Sequence, residues 1–327
     1  MDVYFDERYG KLCQLIEGGT CEVFDFKSSN GFIRNMFLKK PIFDIVQKDE
    51  FKEYYDIISP YGYGGPVILE LNGDKKKLVE EFNIAFDEYC IQNKIVSEFI
   101  RFHPIVNNAQ DFDVIYKPAC IRKTLGTNLA AFDDPINFEF SKSCKRDIRK
   151  ALREGVRYRI NNSIPDINKF VEIYYSTMSR NKAKEFYFFR SKYFCDLADL
   201  FSNQILFVEA LYEDKVIAAS LCFCSDKNIY LHLSGTLQEY LTLLPAYILN
   251  YAIVLWGKDH DYNMVHYGGG VSNLENDTLY KFKKQFALNT EFDFYVGKKI
   301  RITEIYNLLC EIRNVNPNSD FFPAYRT

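Results

Sequence analysis

The chain has 327 residues, 47% of them hydrophobic, with a net charge of -3 and a pI of about 5.9. That length and apolar content suit two domains of ordinary size, or one large one, each able to bury a core. The acidic balance excludes general nucleic-acid affinity, which needs a basic face, so DNA is not an expected partner.

Aromatic residues reach 17%, with 29 Phe and 24 Tyr, which fits packed sheets or a wide cleft with hydroxyl handles. The nine cysteines form no framework, and the four histidines include none at zinc-ligand spacing to a cysteine pair, so no metal is expected. An odd cysteine count and a polar, acidic start (MDVYFDERYG) predict reduced thiols in a cytoplasmic protein, with peripheral association at the inner membrane face left open. The longest apolar stretch, LTLLPAYILNYAIVLW (Leu241–Trp256), is too short for a membrane span and contains Pro245, so it reads as a buried helix.

In chain order, Asp6–Gly19 has helical apolar spacing and a glycine stop. CEVFDF and GFIRNMFLKKPI alternate as strands around KSSNG, a hairpin signal. SPYGYGGPV (Ser59–Val67) then gathers three of the chain's 16 glycines and two tyrosines between prolines. Glycine permits close backbone approach and proline stiffens a turn, so Tyr61, Gly62, Tyr63, Gly64 and Gly65 read either as an ordinary turn or as a ligand-shaping loop. VILEL is a strand, and Asp74 caps a helix running to Lys94. IVSEFIRFHP is a strand ended by Pro104, with Arg101 and His103 on one face and Glu98 on the other.

GTNLAAFDDP (Gly126–Pro135) is the expected boundary, giving domains 1–133 and 134–327, with residues 301–327 packing back on the first. Beyond it the chain reads as a basic helix (SKSCKRDIRKALREGV) running into a strand, a helix DINKFVEIYYSTMSRNKA, and a helix YFCDLADLFS. Three strands follow, with turns at Glu213-Asp214 and Asp226-Lys227, then a helix from Tyr240 to about His260. The strand NMVHYGGG, the helix DTLYKFKKQFA and the strand EFDFYVGKKI complete the order. Both halves therefore run helix, strands, helix, strand, which predicts α/β mixed sheets with helices on their faces. Each half carries a glycine-bearing loop at a strand end, Tyr61–Gly65 and Gly268–Gly270, and such ends are where open sheets bind ligands.

Polar residues cluster elsewhere as well. Arg101 and His103 suit a phosphate or carboxylate, or a salt bridge to a nearby acid, and Glu98 is a weaker candidate base. Arg180 and Asn181 precede the aromatic run FYFF and could line a groove. Tyr230, His232 and Ser234 alternate onto one strand face, which suggests a cleft-facing set or a satisfied core histidine. His266 and Tyr267 precede the triple glycine, whose Gly268 and Gly269 let the backbone approach either a ligand or another strand. The basic run Lys142–Arg159 reads first as a solvated helix face.

The pieces SPYGYGGPV, EFIRFHP, CKRDIRKALREGV, IYYSTMSRNKAKEFYFF, SGT with LLPAYILNYAIVLWG, and HYGGGVSNLENDTLYKFKKQFA occur in an order that resembles the Fem-type (FemABX) aminoacyl transferases and related tandem GNAT-like acetyltransferases. The resemblance implies two tandem GNAT-like domains, each a mixed central sheet flanked by helices. It implies acyl transfer to an amine, with acyl-CoA or aminoacyl-tRNA as co-substrate. The acceptor it implies is a nucleotide-linked amino sugar or a muropeptide of the cell envelope. An aminoacyl-tRNA-dependent ligase of peptidoglycan, with tRNA as a partner, and a non-catalytic binding module are the alternatives. The pair Phe282-Lys283 matches a Phe-Lys pair near the family's transfer site, which implies that Lys283 stabilises negative charge there. Two departures stand out: the chain has no coiled-coil insertion, and TLQEYLTLLPAY lies where a Q/R-x-x-G-x-G/A pyrophosphate loop would precede the long helix.

Overall fold

Asp6 ends the first turn of chain by accepting the Arg8 N–H at 2.8 Å, which caps the helix Glu7–Glu17. In this computed structural model, which describes residues 1–272, 274 and 276–327, twelve strands follow in chain order. They are β1 (Thr20–Ser28), β2 (Gly31–Pro41), β3 (Tyr55–Ile58), β4 (Val67–Leu71), β5 (Ile95–Arg101), β6 (Ala119–Asn128), β7 (Arg157–Asn161), β8 (Ile205–Tyr212), β9 (Lys215–Ser225), β10 (Asn228–Thr236), β11 (Met264–Gly268) and β12 (Glu291–Ile300). The chain divides into two compact units, one made of residues 4–121 and 293–327, the other of 1–3 and 122–292.

In the first unit the strands run in the order β1-β2-β3-β5-β12, with β4 paired to β2. β1 and β2 form the expected hairpin, from Thr20 opposite Lys39 to Ser28 opposite Gly31. β3 and β5 are parallel and the other pairs antiparallel, so the sheet is mixed. The helix Lys75–Gln92 starts at Asp74, whose carboxylate accepts from the N–H groups of Lys76 and Lys77. Its Leu78, Val79, Phe82, Phe86 and Cys90 are buried at the three-and-four spacing of one helix face, against Ile33, Phe37 and Ile100 of the sheet. Phe82 stacks on Phe86 at 5.4 Å.

The second unit orders its strands β6-β11-β10-β9-β8-β7. β8 is buried along most of its length because both of its faces are covered. Leu206, Val208 and Ala210 join a core with Cys144, Ile148, Leu249 and Ile253 from the helices Lys142–Arg153 and Pro245–Asp259. Phe207, on the alternate face, meets Phe170 of the helix Ile167–Arg180 edge-on at 5.1 Å. A mixed sheet between helices is what the element order predicts for this half.

Two strands were not foreseen. β3 is four residues long, below the length at which alternation is legible. β6 runs through the expected domain boundary, and the compact units divide near residues 121 and 292 rather than at 133. Its buried residues are Thr124, Leu125, Gly126 and Thr127, mostly small or polar, so hydropathy does not mark it. The long helix begins at Pro245, not Tyr240, because the residue before a proline is pushed out of the helical region. Leu244 is left-handed there, with φ of 57°.

Candidate functional site

In the second unit β10 and β11 lie parallel only from Asn228 opposite Met264 to Tyr230 opposite His266. Each strand then breaks register with its outer neighbour, β10 between Leu231 and Leu233 against β9, β11 between His266 and Gly268 against β6. The pairing between them ends there, and β10 continues beside β9 to Thr236. Parallel strands that part at their carboxyl ends are where open α/β sheets take ligands.

The turn Gly268–Gly270 stands at the end of β11. Gly268 has φ of 72°, which favours glycine. A Cβ on Gly270 would lie 2.5 Å from Asp277 Oδ1, so the turn is pressed against that carboxylate. Asp277 accepts from Tyr280 N at 2.8 Å, capping the short helix Thr278–Lys284, and from Ser272 N at 2.7 Å and Ser272 Oγ at 3.0 Å. Two cations converge on the turn: Lys283 Nζ donates to the Gly269 carbonyl at 2.7 Å, and Arg122 Nη1 donates to the Gly270 carbonyl at 3.0 Å. Burial lowers the Lys283 pKa to about 8; Arg122 acts in the same direction and Asp277 opposes it. Phe282 instead packs edge-on against Tyr247 and Phe286, at 5.3 and 5.2 Å, and anchors the helix that carries Lys283.

Arg180 is fixed at the end of β10: its guanidinium donates to Thr236 O at 2.9 Å and to Thr177 Oγ1 at 3.0 Å. Arg180 and Lys283 thus mark the ends of the two parting strands. Tyr230 donates its hydroxyl to Asp2 at 2.5 Å, whereas His232 Nε2 lies 2.6 Å from the hydroxyl of Tyr193. The register break after Leu231 interrupts the alternation assumed from sequence, and Ser234 meets Ser220 at 2.9 Å. Burial pushes the His232 pKa down to about 3, so its ring is neutral. Tyr267 Oη lies 2.6 Å from Thr127 Oγ1, and His266 Nε2 lies 3.0 Å from Thr124 Oγ1. Both fasten β11 to β6.

The residues of SPYGYGGPV belong to the other unit and are packed closely there. The Tyr61 carbonyl accepts from Tyr9, Gly62 faces the Tyr4 ring, and Tyr63 is 9% exposed between Tyr4, His103 and Phe294. Gly64 donates to Arg101 O, and its carbonyl accepts from Asn108. A Cβ on Gly65 would lie 2.6 Å from Ile100 Cγ2. Arg101 holds Glu17 Oε1 at 2.9 Å and Pro60 O at 3.3 Å. His103 is fully buried, accepts from Val106 N at 3.1 Å, and has its pKa pushed down to about 3 by burial. Glu98 is buried beside Arg301 and accepts from Tyr116 at 3.1 Å. In the basic run, Lys145 donates to Asn137 and Arg159 pairs with Glu209 at 2.7 Å.

Arg122 and Asp277 complete the Lys283 turn and were not singled out from sequence. Asp277 had a signal, an Asp directly before a helix-forming run. Arg122 had none, since its strand was not recognised. Positions 273 and 275 of the HYGGGVSNLENDTLYKFKKQFA motif lie outside the described residues. Among the described residues no cluster of His, Cys, Asp or Glu could hold a metal ion, and no helix is long and apolar enough to cross a membrane.

Residues 139–283 match the family model of the acetyltransferase (GNAT) domain, a segment that ends on Lys283. The sequence matches no curated protein. Among solved structures the chain is similar to FemX at 12% identity, over 94% of each chain and with a TM-score of 0.69. It is also similar to the C-terminal domain of a putative lysylphosphatidylglycerol synthetase from Agrobacterium fabrum (13% identity, 93% of each chain, TM-score 0.57). A third is L-PGS from Bacillus licheniformis (15% identity, 89% of this chain and 91% of that chain, TM-score 0.51). At these identities the likeness is one of fold. The chain thus shares with FemX a mixed α/β fold over nearly its whole length, and within it residues 139–283 match the GNAT domain, in keeping with the ordered motifs.

Proposed function

We propose that the second unit transfers an acyl group to an amine, and that Lys283 supplies the positive charge the reaction needs. The amine nitrogen bonds to the acyl carbonyl carbon, the ester or thioester bond breaks, and the proton shed by the amine passes to the leaving group or to solvent. No covalent nucleophile is required; what is required is a charge or donor facing the developing oxyanion. The observation that carries this reading is the half-buried Lys283 ammonium at the turn closing β11, where two parallel strands part inside the segment that matches a GNAT domain. Arg122 would share that charge, and Arg180 would hold the facing strand end.

A specific observation favours an aminoacyl ester over acyl-CoA as donor. The segment before the helix Pro245–Asp259 is a 3-10 helix, Gln238–Leu243, without glycine. Its Leu237, Tyr240 and Leu244 N–H groups donate to Ile217, Leu237 and Leu241 carbonyls, and Pro245 has none to give. These four positions therefore offer no backbone donor to cradle a pyrophosphate. The acceptor we propose is an amine on a cell-envelope precursor, an amino sugar or a muropeptide. The likeness to FemX in fold supports it.

The test is transfer and binding together. Purified protein is screened by thermal shift against acetyl-CoA, longer acyl-CoAs, charged tRNA, nucleotide-linked amino sugars and muropeptides, since a ligand of the folded state raises the melting temperature. The pair that shifts it is then assayed for transfer. Lys283→Ala is expected to lower kcat by about 100-fold, the size of losing one oxyanion-stabilising group, and Lys283→Arg to retain part of it. Unchanged turnover in Lys283→Ala would remove its role and favour a binding module without catalysis.

A further inference from the structure

A cleft of about 380 Å³ opens in the second unit at the other end of β10 and β11 from the Lys283 turn. Cys224, in its lining, is opposite Ile229 at the start of β10, and Tyr262 lies two residues before β11. The length of β11, roughly 16 Å at 3.3 Å per residue, therefore separates it from Gly268. Its wall is aromatic and its rim is Asn162, Ser202 and Asn203. Trp256 and His260, one turn apart, stack at 4.1 Å and 21°, with His260 Nδ1 2.8 Å from Trp256 O. Tyr262 adds a third ring, 5.4 Å from the indole and inclined by 30°.

We propose that this cleft binds a neutral pyranose ring, independently of the transfer site. Three features select that class. Among the described residues no Asp, Glu, Lys or Arg lines the cleft, so a phosphate or carboxylate finds no permanent counter-charge there, the one ionisable cation being the His260 imidazole. One indole face is covered by His260 and Tyr262 is tilted, which makes a bent wall rather than a parallel slot for a flat base. A puckered ring with a C–H face and hydroxyl edges fits such a wall, and two carboxamides with a hydroxyl at the rim offer paired donors and acceptors to its hydroxyls. The volume lies in the range of small-molecule sites.

Trp256 is the only tryptophan of the chain, so its emission reports this cleft alone. The full-length protein is titrated with N-acetylglucosamine, its β-1,4-linked dimer and cellobiose, with adenosine and uridine as flat controls. A saturable change in Trp256 emission with a saccharide is expected. Asn162→Ala and Asn203→Ala, both at exposed rim positions, should each weaken it about 10-fold, the size of one lost hydrogen bond. Lys283→Ala should leave the titration unchanged. The proposal is overturned by silence toward every saccharide, by a response to the nucleosides alone, by both Asn variants keeping the affinity of the unsubstituted protein, or by loss of the response in Lys283→Ala.

Discussion

At Lys283 burial and neighbouring charge act on one ammonium group, and the balance has a pH signature. Burial brings its pKa from 10.5 to about 8, with Arg122 adding to the shift and Asp277 opposing it. The folded value lies below the unfolded one, so the folded protein releases this proton first as pH rises. Between about pH 8 and 10.5 the unfolded chain holds more protons here, and the group's contribution to stability grows with pH. In the folded protein the charge offered to an oxyanion is lost as pH rises through about 8. The rate of transfer should therefore fall along a limb centred near pH 8, and Lys283→Arg, whose guanidinium stays charged, should move that limb out of range. A limb unmoved in the Arg variant would assign the titration to another group. At this scale Lys283 stands out in the sequence only through the ordered set of motifs, since a lysine on a short helix carries no signal of its own. The motif could not show that Arg122 shares its turn, because that contact joins residues 148 apart in the chain.

At the scale of elements, local chemistry was readable where it repeats and obscure where it depends on neighbours. The hairpin turns at Glu213-Asp214 and Asp226-Lys227 were placed correctly, and both residues of each turn have positive φ. Two-residue hairpins need that geometry, and glycine tolerates it best. Lys227 has φ of 65° on a lysine, so Lys227→Gly should stabilise the protein by up to about 1 kcal/mol, read as a higher midpoint in urea at unchanged m-value. Its carbonyl, which accepts from Asn263 N at 2.7 Å, is untouched by the change. A lower midpoint would mean that the lysine side chain contributes more than its backbone conformation costs. β6 was missed for the opposite reason. Thr124 and Thr127 are buried by bonding His266 and the Tyr267 hydroxyl, partners that exist only once β11 lies alongside.

At the scale of the molecule, the last residues of the chain complete the unit that begins near its start. β12 pairs antiparallel with β5, from Val296 opposite Arg101 to Ile300 opposite Ser97. The helix Thr303–Ile312 then adds Tyr306, Leu309 and Cys310 to a core with Ile42, Phe51 and Val96. The closing contact is polar: Asp56, fully buried on β3, accepts from Ser97 Oγ at 2.6 Å, Tyr325 Oη at 2.5 Å and Arg326 Nε at 2.6 Å. Among the described residues Asp56 is the one carboxylate paired with Arg326, whose Nη2 donates to the carbonyls of Lys40 and Pro41. Removing one partner from a buried ion pair leaves the other uncompensated, a loss of about 3 kcal/mol or more. Asp56→Ala should therefore lower the melting temperature by roughly 6–12 °C, taking 2–4 °C per kcal/mol for a unit of this size. Deleting residues 324–327 should act in the same direction, because it removes Tyr325 and Arg326 and leaves the Asp56 carboxylate with Ser97. Far-UV circular dichroism follows this loss over the whole chain. Trp256 emission follows the second unit, whose core contains neither Asp56 nor the tail. A first transition that moves in circular dichroism while the Trp256 transition holds would assign the latch to the first unit's own stability; equal shifts in both would mean that the two units unfold as one.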